Sequence, residues 1–393
     1  MPGRTWVIAP DSETLAARWG QLVNEKDPQR KETLFHPHEG GDRTLQKKLS
    51  DGLSGHEYRA TAVGIDHKSV VAPTRYAFRS LDRQWIVPDK RLINRPNPAL
   101  WDWHSSVQVY LTAPDDRSPT SGPAISFADL IPDLHHYNGR GGRVFPLWAD
   151  ASQTNVAALP RAAVADATNL TVSGEEMVAY LAAVLAHPAF TSHFAGDLVQ
   201  PGLRVPLTSD RDLFQEAVAL GREVIWLHTY GDRFADPLTG RPTGPPRMTK
   251  GEAPTIPAEG AIPGAPEPLP EAMRYDATKH RLHVGYGYVD NVTPEMWAYD
   301  VSGKQVVWQW FSYRKRNRTR PIIGDRRPPS PLDTIQPDYW LPEYTTDLIN
   351  LLNVLGRLVA LEPKQADLLE RILAHPLITV ANLKPAAENT DDS

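Results

Sequence analysis

The sequence contains no cysteine, which excludes disulfides, thiolate metal centres and cysteine nucleophiles outright. It has no run approaching the ~18 apolar residues of a membrane-spanning helix, and its first residues, MPGRTWVIAPDSE, lack a signal peptide's apolar core. The expectation is a cytoplasmic protein with no membrane partner. Positive charge is also short overall. A formal net charge of −5 excludes a polycation that coats nucleic acid indiscriminately, so any such contact must come from a local basic surface. What remains is ample: 393 residues at 41% apolar content can build a sizeable core and more than one domain.

Catalytic signatures are missing as well. There is no G-x-S-x-G elbow. Tyr137-Asn138-Gly139-Arg140-Gly141-Gly142 has the glycines of a cofactor loop, but it follows PDLHHY and enters the short strand RVFPLW instead of opening a helix, so a tight turn is expected. A base-holding D/N-P-P-aromatic loop is approached only by Asn97-Pro98-Ala99 and Arg327-Pro328-Pro329-Ser330, and neither fits. Pro337-Asp338 and Glu362-Pro363-Lys364 match the letters of a metal-dependent nuclease, yet Pro363 starts a helix where a strand is needed. The closest of the 13 histidines (His135 with His136, His187 with His193, His280 with His283) have no H-E-x-x-H spacing and no evident third ligand. Neighbouring histidines on a strand also point to opposite faces. No catalytic, cofactor-binding or metal site is expected; the alternative is an unrecognised enzyme site around Asp133, His135 and His136.

The chain divides by pattern. Residues 1–60 read as a polar N-terminal coupling segment with one helical signal, Ser12 to Val23 with Ser12 as N-cap. Residues 61–235 begin strand-like (RYAFRSLD, RQWIVP, SSVQVYLTA, then GRGGRVFPLW) and continue into helices at Glu175–Ala186 and Asp210–His228, the latter capped by Ser209 or Asp210. Residues 236–272 carry 10 prolines and read as a surface loop or linker. Residues 273–376 hold the strands RLHVGYGYVDNV and MWAYDVSGKQVVWQW, the latter turning at Ser302-Gly303, then helices at Thr345–Ala360 and Pro363–Ala374. Residues 377–393 form a polar tail. The fold class is α+β.

One stretch stands out. Between Trp297 and Pro331, an aromatic segment read as a strand (Trp308, Trp310, Phe311, Tyr313) runs directly into Arg314, Lys315, Arg316, Arg318, Arg320, Arg326 and Arg327, and between Arg314 and Arg327 Asp325 is the single opposing charge. Guanidinium groups pair with phosphates and read guanine edges, and aromatic rings can fix a loop or stack on bases. Tyr313, Arg314, Lys315, Arg316, Asn317, Arg318, Arg320, Arg326 and Arg327 are therefore the candidate DNA-binding residues, with Lys304 and Arg91 as outlying ones. The competing reading is a solvated charged loop, or one that docks an acidic protein. A second basic group (Arg75, Arg79, Arg83, Lys90, Arg91, Arg95), interleaved with Tyr76, Phe78 and Trp85, is expected to be a half-buried sheet with arginines on its wet face.

Longer strings carry more information than these motifs. RYAFRSLDRQWIVPDKRLINRPNPALW, VQVYLTA, PDLHHYNGRGGRVFPLW, YLAAVLAHPAFTSHF, LRVPLTSDRDLFQEAVALGREVIWLHTYG and KQVVWQWFSYRKRNRTRPIIGDRRPPSPL closely resemble, in order and from about Trp6 to Leu373, the C-terminal specificity region of type ISP restriction–modification enzymes. The resemblance implies a β-rich target recognition domain with helical scaffold segments. It also implies sequence-specific recognition of double-stranded DNA, serving a DNA methyltransferase or restriction subunit. S-adenosylmethionine, and ATP with Mg²⁺ in a full system, are expected only on partner domains, because this chain has no Walker-type loop, no S-adenosylmethionine loop and no base-holding loop. The alternative is a protein-interaction module or a truncated remnant without DNA binding of its own.

Overall fold

The computed structural model describes residues 4–38, 41–115, 117–137, 141–150, 152–316 and 328–383. Strand β1 (Ile8–Ala9) precedes two helices, α1 (Ser12–Asn24) and α2 (Pro28–Phe35). The cap of α1 is Asp11, whose carboxylate accepts from Thr14 N at 2.7 Å, one residue earlier than the expected Ser12. β2 (Thr74–Arg79) and β3 (Asp82–Ile86) form an antiparallel hairpin, and β1 joins its other side with Ile8 opposite Ile86. The first 60 residues, expected to be a polar coupling segment, thus contribute a strand and two helices to a packed layer.

A short helix α3 (Pro98–Asp102) leads to a second three-stranded sheet of β4 (Tyr110–Pro114), β5 (Ser126–Ala128) and β6 (Gly142–Pro146), with β4 central. Alternation along β4 serves two hydrophobic cores. Val109 and Ala113 enter the larger one, while Tyr110 enters the smaller one beneath β1–β3 and the N-terminal helices.

The larger core is covered by α4 (Ala158–Thr168), α5 (Gly174–Leu185), α6 (Pro188–His193) and α7 (Arg211–His228). Ser173 and Glu176 form a capping box on α5, and Asp210 caps α7. α5 and α7 approach so closely that a Cβ at Gly221 would lie 1.7 Å from the Ala179 carbonyl oxygen.

The proline-rich residues 236–272 do not separate two bodies. Pro242 O accepts from Trp226 Nε1 at 3.0 Å, Met248 N donates to Asn353 Oδ1 at 2.9 Å, Thr255 and Asp290 exchange two backbone hydrogen bonds, and Leu269 is buried. Trp226 before the stretch and Leu282 and Leu351 after it belong to one core. The stretch is a strap laid over that core.

Beyond it come a third antiparallel sheet, β7 (Met273–Asp276), β8 (Arg281–Val284) and β9 (Gly287–Val289), and then α8 (Pro294–Ala298). The hairpin of β10 (Asp300–Val301) and β11 (Lys304–Gln305) turns at Ser302-Gly303 as expected, but the aromatic run after it is helix α9 (Val306–Ser312), not a strand. Burial of Val306, Val307, Trp310 and Phe311 with Trp308 exposed follows helical spacing. α10 (Pro342–Ala374) is one helix of 33 residues with Pro363 inside it, where two helices were expected. An internal proline costs about 3 kcal/mol, but Leu361, Leu368, Leu369 and Ile372 around and beyond it are all buried. Each contributes roughly 1.5–3 kcal/mol, so the core holds the helix together across the proline.

Candidate nucleic-acid interface

The basic segment leaves the fold from the end of α9. Trp310 and Phe311 pack against Trp340, with ring centroids 6.2 and 6.5 Å away. Tyr313 crosses into the smaller core and meets Phe78 edge-on at 5.1 Å. Arg314 follows, and it is not on the surface. Its guanidinium is fully buried, donates to Asp82 Oδ1 and to the Trp310 carbonyl at 2.9 Å each, and lies 4.0 Å over the Trp310 ring. Asp347 stands in the same region: burial pushes its carboxyl up, and Arg314 and Arg75 partly offset this. Tyr313 and Arg314 were expected to touch DNA. Burial removes both from that role and makes them the root of the segment.

Lys315 is half-buried and Arg316 is the first exposed guanidinium. Arg316 N donates to Pro270 O at 2.9 Å, and its side chain pairs with Glu271 at 3.3 Å. Asn317, Arg318, Arg320, Arg326 and Arg327 lie outside the described residues.

The far end is held as firmly. His36 Nε2 donates to Pro328 O at 2.9 Å, and Ser330 Oγ donates to Leu34 O at 2.6 Å while accepting from Leu332 N at 3.1 Å. Thr5 donates to Asp333 at 2.7 Å, and Arg18 donates to Ile335 O. The segment from Arg316 to Pro328 is therefore pinned at one end to the seam between the cores and at the other to the N-terminal helices. The serine before Pro331 is a local cap signal that the sequence reading passed over, whereas Asp82 and His36 carried no signal, because their partners lie 232 and 292 residues away.

The second basic group has a different fate from the wet sheet face expected of it. Arg79 is buried against Asp133 at 3.0 Å, Arg83 reaches Asp129 at 2.6 Å and Asp232 at 2.9 Å, and Arg75 faces Asp347 at 3.6 Å. Burial alone would raise the Asp133 carboxyl, but Arg79 beside it holds it below the usual range. Arg91 is buried between Asp89 and Asp66, so it too is structural, and Lys90 pairs with Asp51. Lys304 is exposed on the β10–β11 hairpin.

The rival sites do not assemble. His136 is buried and bonded to Thr112, and burial, then Arg79 and His228, bring it down to about 3. His135 is only half-buried, its backbone N–H donating to the Asp133 carboxylate. Among the described residues no three His, Asp or Glu side chains are placed to hold a metal ion. Gly142 opens strand β6, where a cofactor loop would open a helix, and Glu362 lies on helix α10, where the nuclease-like letters would need a strand. Among the described residues no helix is long and apolar enough to cross a membrane.

The sequence profile of the Type ISP C-terminal specificity domain matches residues 1–350. The chain belongs to this family. The fold of this Type ISP specificity domain is similar to that in the cryo-electron-microscopy structure of a DrdV–DNA complex, with a TM-score of 0.55 and 17% identity over 95% of this chain. It is also similar to the ATP-dependent Type ISP restriction–modification enzyme LlaBIII bound to DNA, with a TM-score of 0.56 and 12% identity over 95% of this chain. The domain spans 35% of the first of those chains and 22% of the second. At such identities the likeness is one of fold. No curated protein matches the chain.

Proposed function

We propose that this Type ISP specificity domain recognises duplex DNA in a sequence-dependent way, and that adenine methylation and cleavage are performed by other domains or subunits of the same restriction–modification system. The observation that carries the reading is the basic segment between Arg316 and Pro328, tied down at both ends by buried groups. Cations on a segment whose two ends are fastened to the fold can set register on the phosphates and bring a few side chains to base edges. The family supports this reading, as do the DNA-bound proteins that share the fold. S-adenosylmethionine and ATP with Mg²⁺ belong to those other parts; this chain supplies specificity.

Selection from a randomised duplex pool by the full chain tests it. Enrichment of a defined sequence, lost when Arg316, Arg318 and Arg320 are replaced together by Ala with the fold intact, is the expected result. If the chain retains no duplex at any salt but captures an acidic protein partner through the same residues, the segment is a protein-docking element instead.

A further inference from the structure

Arg316 has an aromatic neighbour that the sequence did not suggest. Three parts of the chain dock on the short stretch from Leu269 to Ala272. Leu269 N donates to Asp338 O at 3.0 Å, Pro270 O accepts from Arg316 N at 2.9 Å, and Ala272 O accepts from Gly285 N at 3.1 Å. The Cα atoms of Pro270 and Ala272 cannot be more than about 7 Å apart. The head of the basic segment and the turn between β8 and β9 are thus fastened side by side.

That turn consists of Gly285 and Tyr286 alone, closed by the Val284–Gly287 pair. Gly285 has φ +57°, and a Cβ there would meet Pro270 at 3.1 Å. Glycine followed by another residue is the pattern of a two-residue hairpin turn. Gly287 is confined too, since a Cβ would come within 2.5 Å of the Ile262 backbone. The tip is therefore rigid, yet it holds out a tyrosine that is 85% exposed. On the outward face of the same sheet Arg274, His283 and Tyr288 stand opposite one another across the three strands. The Arg281 guanidinium lies 3.6 Å over the Tyr288 ring, held there by Asp290 at 2.7 Å. Glu259, Asp276, Asp290 and Glu271 are carboxylates nearby; Glu259 stands against the Tyr288 hydroxyl, Asp290 is engaged by Arg281 and Glu271 by Arg316.

We propose that Tyr286 is a DNA-contacting residue, a rigidly mounted ring that packs on a base of the bound duplex while Arg274 and Arg316 beside it meet phosphates. Apolar and aromatic side chains make such contacts at thymine methyls and at partly unstacked steps. The inference rests on the duplex-DNA reading above and adds a second element, the β8–β9 hairpin, to that interface.

The test uses the full chain and duplexes enriched from a randomised pool, with affinity read by fluorescence anisotropy. Tyr286→Ala should weaken binding to the enriched duplex by about tenfold or more and leave the salt dependence unchanged, because no charge is removed. Tyr286→Phe should bind as the unmodified chain does. Arg274→Ala should reduce the slope of log K against log salt by about one. If the unmodified chain binds the duplex and Tyr286→Ala binds it equally well, this proposal is overturned while the DNA reading stands. A Tyr286→Phe variant as weak as Tyr286→Ala also overturns it, since the hydroxyl and not the ring would then make the contact. If the unmodified chain binds no duplex at all, the DNA reading falls and takes this one with it.

Discussion

Arg314 and Asp82, 232 residues apart in sequence, form a fully buried ion pair at 2.9 Å that joins the root of the basic segment to the β2–β3 hairpin. Removing one member of such a pair leaves an uncompensated charge in the interior and typically costs about 3–5 kcal/mol. Asp82→Asn and Arg314→Met should each lower the urea midpoint strongly with little change in slope, and the double variant should recover part of the loss. Additive losses would show that the two residues act separately.

Arg316, two positions on, should behave in the opposite way. It is exposed, and its pair with Glu271 is a surface pair of the kind worth little, about 0–1 kcal/mol. Arg316→Ala should leave the unfolding midpoint almost unmoved and weaken duplex binding. The contrast between neighbouring arginines separates the one that shapes the segment from the one that uses it.

The α5–α7 crossing offers a test of the scaffold. Gly221→Ala places a methyl group 1.7 Å from a backbone carbonyl oxygen, and neither helix can yield without disturbing the larger core. The expected loss is about 3 kcal/mol or more, at or above the upper end of ordinary overpacking, read from chemical denaturation. A neutral effect would contradict the close α5–α7 crossing.

Glu362 provides the pH test. Burial, then the neighbouring Asp300, pushes its carboxyl up to about 7 from an ordinary 4.5. A group whose folded pKa is raised adds stability that is fully present below its unfolded value and is lost as pH rises through the folded value. Glu362→Gln should therefore be more stable than the unmodified chain at pH 8, with the difference closing near pH 5. The buried histidines run the other way in both proteins. Burial brings His228 down to about 4, and His136 lies lower still, so their neutral forms cost stability as pH falls below 6.5. Comparing the variant with its parent at each pH removes that common slope.

The sequence carried much of this fold. Alternation exposed β2, β3 and β8, helical spacing and polar caps exposed α5 and α7, and Ser302-Gly303 marked its hairpin. The failures have physical causes. The alternating aromatics of VVWQWF look like a strand, but the short helix is dictated by Trp340 and the core it meets. Pro363 stops a helix by local rules, while long-range burial of Leu368, Leu369 and Ile372 carries α10 past it. At the interface, the concentration of basic residues was plain, but its division into buried and exposed members was not. A buried arginine such as Arg314 is spelled like an exposed one, and Asp82, which decides the matter, sits on a strand far upstream. Tyr286 carried no signal because the two tyrosines of GYGYV, Tyr286 and Tyr288, both read as ordinary strand residues.

The central claim is that Arg316 and the basic residues between it and Pro328 meet DNA phosphates, and the salt dependence of duplex binding tests it most directly. Each phosphate contact contributes close to one unit to the slope of log K against log salt. Replacing Arg316, Arg318 and Arg320 together by Ala should flatten that slope by about two to three and leave the unfolding midpoint in place. A variant that binds the same duplex with an unchanged slope would contradict the account.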